Sequence, residues 1–206
     1  MADFALLEAV LFEPASGYFL LERHLERLAR SAARFGFRGD PGAAEARLLE
    51  LARELTAEAR KVRLELSADG ALLLEHGPVK PSTAVRAALA AEPVDSSDEL
   101  LRHKTSRREL YERALASRRP GTDDVLLWNE RGQLTETSSA NLVVELGSRR
   151  LTPPVESGLL PGTFRAELLA RGEVEEAVVP LADLPRAERV WLVNSVRRWA
   201  PIEVVP

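Results

Sequence analysis

The sequence predicts an α+β protein folded in two parts. Short runs such as VRLEL and ALLLE alternate apolar and polar residues at strand period, while 21–35 and 44–59 repeat apolar residues at helical spacing. Between the halves lies AAEPVDSSDE, a polar stretch carrying a proline. A chain of 206 residues, 45% of them hydrophobic, can bury one sizeable core or two small ones. The expected organisation is a small N-terminal α+β domain over 1–92, a linker over 93–99 and a C-terminal α+β domain over 100–206.

FALLEAVLFEP and GYFLLER read as a strand pair around a Pro-Ala-Ser-Gly turn. Leu21, Leu25, Leu28, Ala32 and Phe35 then mark the buried stripe of a helix, stopped by Gly36 and by Pro41-Gly42. Ala44, Leu48, Leu51, Leu55 and Ala59 share one face of a second helix. VRLEL and ALLLE form a hairpin around ADG, with a further strand near 83–89. In the second half, LLRHKTSRRELYERALA reads as an extended entry into a helix of about three turns. Two hairpins follow, turning at Glu130-Arg131-Gly132 and Gly147-Ser148, and GLLPGTFRAELLARG supplies the next helix. VWLVNSVRRWAPIEVVP closes the chain with a strand, a polar loop at Asn194-Ser195 and an extended tail.

Composition narrows the function. The 28 basic and 32 acidic residues give a net charge of -4 and are spread along the chain, which argues against nucleic acid or an anionic membrane as partner and points to a small metabolite. With no cysteine, disulfides, Cys-based zinc sites and thiol nucleophiles are excluded together. The N-terminus lacks the basic flank and cleavage site of a signal peptide, and no apolar run approaches membrane-spanning length. A cytoplasmic protein is the expectation.

Among the basic residues, lysine occurs only at Lys61, Lys80 and Lys104. Arginine stays charged in proteins, whereas a lysine amine can lose its proton and attack a carbonyl. Lys61 and Lys80, at strand edges, read as surface charges. Glu136 ends the strand QLTE, just before the small polar run TSSAN. It fits a solvated strand end, or a carboxylate that keeps a pyridine nitrogen protonated and makes the ring an electron sink. The helix that begins at Pro161-Gly162 presents the backbone N–H groups of Thr163 and Phe164 and the positive end of a dipole, suited to a phosphate or to a simple turn. Arg27 and Ser195 offer a guanidinium and a hydroxyl to complete a phosphate cup, although a helix arginine is usually a surface charge and a loop serine usually a turn former.

Taken as blocks, these residues carry a resemblance. LLEAVLFEPASGYFLLERHLERLARSAARFGF, HKTSRRELY, VLLWNERGQLTETSSANLVV, LTPPVESGLLPGTFRAELL and VNSVRRWAPI resemble the class IV, fold-type IV pyridoxal-phosphate enzymes. That family includes branched-chain and D-amino-acid aminotransferases and 4-amino-4-deoxychorismate lyase. The resemblance implies a two-domain, D-amino-acid-aminotransferase-like α+β fold with a shortened N-terminal domain, and pyridoxal 5′-phosphate as cofactor.

It further implies that Lys104 holds the cofactor and is catalytic, and that Glu136 pairs with the pyridine nitrogen. Arg27, Thr163, Phe164 and Ser195 would bind the phosphate, the middle two through backbone N–H groups, and Leu160 would pack on the ring. Tyr111 lies too far past Lys104 to match the tyrosine that some members place near the phenolic oxygen. Arg107 and Arg108 are candidates for a substrate carboxylate, or plain helical surface charge. The wording of the blocks is closest to the lyases that give 4-aminobenzoate and pyruvate in folate biosynthesis, working beside aminodeoxychorismate synthase. Ala9 departs from them, standing where a threonine is associated with lyase chemistry. An aminotransferase acting on branched-chain or D-amino acids and a non-catalytic cofactor-binding module are the alternatives. The family's usual state implies a homodimer.

Overall fold

The computed structural model describes residues 3–55 and 57–205. The chain forms two compact units: 3–80 with His103–Arg107, and 81–102 with 108–205.

In the first unit, strands β1 (Leu6–Glu13), β2 (Gly17–Tyr18), β3 (Arg60–Leu66) and β4 (Leu72–Pro78) form an antiparallel sheet in the order β2-β1-β3-β4. Helices α1 (Leu21–Phe35) and α2 (Pro41–Ala52) cover one face. Strand alternation puts Leu6 and Phe12 of β1 with Val62, Leu64 and Leu66 of β3 on that face, where they meet Leu28, Ala32, Ala44 and Leu48. The second expected strand is cut to two residues because Leu20 turns into the left-handed region (φ 56°) and α1 starts at once. Gly36 ends α1 at φ 68°, its N–H bonded to the Ala32 carbonyl, which is the glycine stop the sequence suggests. Pro41-Gly42 opens a helix and does not end one: the Asp40 side chain accepts from the Gly42 N–H and caps α2. That helix ends at Ala52, so Leu55 and Ala59 fall beyond it, although Leu55 still reaches the core.

The second unit contains β5 (Val85–Leu89), α3 (Glu109–Ala116), β6 (Asp124–Trp128), β7 (Leu134–Thr137), β8 (Asn141–Leu146), β9 (Arg149–Thr152), α4 (Thr163–Ala170), β10 (Glu175–Glu176), β11 (Arg189–Asn194) and β12 (Arg198–Val204). Its sheet runs β10-β9-β8-β11-β12-β5-β6-β7. A further pairing of β7 with β8, at Glu136 opposite Asn141, closes six of these strands into a ring. Leu126, Leu134, Leu142, Val144, Leu192 and Ala200 fill one side of that ring. On the other side, Val125 and Leu127 pack with Leu101, Leu110 and Ala114 beneath α3. That helix has eight residues, shorter than the three turns the sequence suggests.

The strand near 83–89 belongs to this second sheet, lying parallel to both β12 and β6. The 93–99 segment, read from its composition as a linker, lies inside the second unit, and the units divide after Lys80. Its polar residues anchor it. The Val94 N–H donates to the Trp128 carbonyl at 2.8 Å, and Ser96 gives its N–H and hydroxyl to the Glu130 carboxylate at 2.9 and 2.7 Å.

Candidate active site

Each unit carries a cluster of buried polar groups, a costly arrangement unless every member is paired. In the first unit the cluster grows from Glu8, which strand alternation turns toward α1 from the middle of β1. His24, Arg27 and Ser31 stand at i, i+3 and i+7, on one face of α1, and all are buried. Arg27 grips Glu8 with two hydrogen bonds, Nε to Oε1 at 2.9 Å and Nη2 to Oε2 at 2.6 Å. His24 Nδ1 lies 2.6 Å from Glu8 Oε2. Burial alone would raise the Glu8 pKa, but the Arg27 and His24 charges and hydrogen bonds overcome it and hold the carboxyl at about 2.

One turn further along α1, Ser31 Oγ is 2.8 Å from His103 Nδ1, and the Phe35 ring meets the His103 ring edge-on at 4.7 Å. Lys104 follows directly. Its carbonyl accepts the Leu7 N–H at 2.8 Å, while Ser106 exchanges bonds with Ala5, N–H to carbonyl at 2.9 Å and Oγ from the Ala5 N–H at 2.9 Å. The 104–106 backbone is therefore laid along the start of β1, and Lys104 is half-buried. Lys61 and Lys80 are exposed, as surface charges should be.

In the second unit the central group is Glu136, 4% exposed on β7. Tyr111 of α3 donates to Oε1 at 2.9 Å, while Asn141 Nδ2 and the Leu160 N–H each donate to Oε2 at 3.3 Å. A carboxylate is an acceptor-only group, and these donors suit it. Burial, and then the neighbouring Glu136 charge, push the Tyr111 phenol well above its ordinary value. Asn141 Nδ2 also donates to the Leu160 carbonyl at 2.8 Å, binding the strand to the loop before α4. That loop reaches α4 through Gly162, where an added Cβ would sit 1.9 Å from Asn141 Oδ1. Only glycine lets the backbone pass there.

Gly162 has no side chain with which to cap α4, and the buried Thr163 and Phe164 form the N-terminus of that helix. The Phe164 ring meets Trp199 edge-on at 6.5 Å and ties this helix start to β12. Ser195, also buried, opens the turn between β11 and β12. Asn194 Oδ1 shapes that turn by accepting the Val196 and Arg197 N–H groups at 3.1 and 2.8 Å.

Of the seven residues expected at the site, Arg27 and Lys104 belong to the first unit and Glu136, Leu160, Thr163, Phe164 and Ser195 to the second. Leu160 meets Glu136 through its backbone. Arg107 pairs with Asp3 and lies over the Phe4 ring, while Arg108 donates to the Ser138 carbonyl at 2.7 Å and stacks 4.7 Å from the centre of the Tyr111 ring. Sequence reasoning missed Glu8, His24, Tyr111 and Asn141 as members of these clusters. The signals were faint: one carboxylate inside an otherwise apolar strand, and an asparagine opening another. Among the described residues, no group of His, Asp and Glu is arranged to hold a metal ion, and no helix is long and apolar enough to cross a membrane.

The fold agrees with known proteins. The chain belongs to the amino-transferase class IV family, whose model matches residues 5–205. Its nature as a fold-type IV enzyme, expected from the sequence blocks, is borne out. A provisionally named aminodeoxychorismate lyase of Schizosaccharomyces pombe is 31% identical over 96% of this chain and 88% of its own length. Among solved structures, a provisionally named amino-acid aminotransferase from Mesorhizobium loti superposes with a TM-score of 0.92 at 38% identity, covering 98% of this chain and all of that one. The 4-amino-4-deoxychorismate lyase of Pseudomonas aeruginosa shares the fold, with a TM-score of 0.79 at 23% identity, over 97% of this chain and 82% of its own.

Proposed function

We propose that this protein is a pyridoxal-phosphate-dependent 4-amino-4-deoxychorismate lyase, releasing 4-aminobenzoate and pyruvate for folate synthesis. The observation that carries the cofactor assignment is Glu136, a buried carboxylate surrounded by donors and joined through Asn141 to the glycine-entered start of α4. The donor set fits the group. Within the second unit, a phosphate suits the backbone of Thr163 and Phe164 and the Ser195 hydroxyl, and an acceptor-only carboxylate suits a protonated ring nitrogen; Arg27 would join the phosphate ligands, as the family resemblance implies.

Bound pyridoxal phosphate supplies an electron sink for negative charge at the carbon that bears the substrate amine. Lys104 would hold the cofactor through its amine, and the same amine would serve as the base that takes the proton from that carbon. Glu136 would keep the proton on the ring nitrogen, and Leu160 would pack against the ring. Lys104 Nζ then returns a proton to the departing enolpyruvate. Glu8 fixes the plane of the Arg27 guanidinium through Nε and Nη2, so that Arg27 meets an anion in one orientation.

The choice of lyase rests on the likeness to the Schizosaccharomyces pombe protein along nearly the whole chain. A second reading, an aminotransferase, is favoured by the likeness to the Mesorhizobium loti protein and by Ala9, which brings no hydroxyl to β1. Both routes use Lys104 and Glu136 alike, and fold does not separate them. Turnover does. The lyase releases pyruvate and 4-aminobenzoate from aminodeoxychorismate; formation of a 2-oxo acid from an amino acid with 2-oxoglutarate, and no pyruvate release, would replace it with the second reading. Lys104→Ala is expected to remove the visible absorbance of the lysine-bound cofactor, and retention of that absorbance would overturn the role given to Lys104. The protein is further proposed to work in the cytoplasm as a homodimer, beside the synthase that makes its substrate.

A further inference from the structure

We infer that Asn141 is a positioning residue that fixes the separation between the Glu136 carboxylate and the N-terminus of α4, and with it the length of the group held between them. This rests on the proposed cofactor, whose ring nitrogen and phosphate lie at opposite ends of one rigid molecule. Asn141 Nδ2 carries two hydrogens on one atom and uses them on two acceptors, Glu136 Oε2 at 3.3 Å and the Leu160 carbonyl at 2.8 Å. The Leu160 N–H returns to Glu136 Oε2 at 3.3 Å, so carboxylate, amide and loop backbone close a small cycle of hydrogen bonds. On the other side of the amide, Oδ1 stands where a Cβ on residue 162 would fall.

One buried side chain, 3% exposed, therefore touches both the proposed ring-nitrogen anchor and the backbone that leads into the proposed phosphate anchor. No other common side chain does both. Aspartate has the shape but no donor and would set a like charge beside Glu136, alanine reaches neither acceptor, and glutamine is longer by a methylene. Residue 141 also sits at the pairing that closes the strand ring, so a stapling role in folding is the competing account.

Two probes separate positioning from stapling. Pyridoxamine phosphate engages both anchors without a bond to Lys104, whereas inorganic phosphate engages the phosphate anchor alone. By calorimetry, Asn141→Ala is expected to weaken pyridoxamine phosphate by about tenfold or more, as for loss of a hydrogen bond to a charged group. Inorganic phosphate should stay within about twofold, because rigid linkage benefits only a ligand that spans both anchors. Equal losses for both probes, or unchanged pyridoxamine phosphate binding, would overturn the inference. If the wild-type protein binds no pyridoxamine phosphate, the proposed function itself fails, a result distinct from wild-type binding that the variant retains. Thermal unfolding of each variant checks the fold. Asn141→Ser, which keeps a polar group at the strand end but reaches neither acceptor, carries the same expected split should the alanine variant not fold.

Discussion

Replacing Glu8 by glutamine tests the first unit at its most buried charge. Glu8 is 3% exposed, and its carboxyl lies at about 2 against an ordinary 4.5. A depressed folded-state value means that the unfolded chain binds the proton more readily. The stabilisation is thus complete above pH 4.5 and is lost as the pH falls from there toward 2. The size follows from the displacement: about 3 kcal/mol at neutral pH. Glu8→Gln discards that term and leaves the Arg27 guanidinium buried without its counter-charge, so a loss of about 3–5 kcal/mol is expected at pH 7. Urea unfolding at pH 7 and through the acid range measures it. All three tryptophans, Trp128, Trp191 and Trp199, lie in the second unit, so fluorescence follows that unit while far-UV circular dichroism follows both. The variant should unfold first in the dichroism signal and should lose less stability than wild type between pH 4.5 and 2. Pairing the change with Arg27→Met should recover part of the loss, since the double variant leaves no lone guanidinium charge buried. If Glu8→Gln is as stable as wild type at pH 7 and follows the same acid limb, the buried pair does not act as described.

Two further outcomes concern the second unit and the tyrosines. Burial lifts Tyr18 to about 12, and burial with the Glu136 charge lifts Tyr111 well above 10, so the folded protein at pH 10 should show almost none of the tyrosinate absorbance that the denatured chain shows. Gly158 has φ 91° and a Cβ there would stand 2.8 Å from Ser96 Cα, so Gly158→Ala should cost about 2 kcal/mol or more. Gly132→Ala, at φ 70° with nothing within 4 Å, should cost only about 1 kcal/mol; equal melting temperatures for the two would remove the argument from close approach.

Patterns of one period were legible in the sequence. The α1 stripe of Leu28 and Ala32, the Gly36 stop, the hairpin around Gly70 and the glycine-ended α4 all follow from local rules that act within a few residues. What stayed hidden depends on partners distant in sequence. Nothing near 93–99 shows that Ser96 is held by Glu130, so a polar run that is fixed in place reads as a linker. Residues 83–89 carry a strand's pattern but no sign of which sheet will take them, and parallel neighbours at β6 and β12 decided it. At the site, the blocks pointed to Lys104 and Glu136 as chemistry-bearing residues. Glu8 and Asn141 went unnoticed because their importance lies in what they hold, Arg27 in one case and the Leu160 backbone in the other.

The brief return of His103–Arg107 to the first unit sets limits on dissection of the gene. A fragment cut after Lys80 would carry Arg27 and Glu8 but not the lysine, and the chain would lose the backbone partners of Ala5, just before β1, and of Leu7 within it. A fragment starting at residue 81 would carry the lysine with no strand for its segment to lie along. Recombination between relatives therefore has no single crossover point that keeps each unit whole. Exchange of the first unit would need the five residues from 103 to 107 to travel with it.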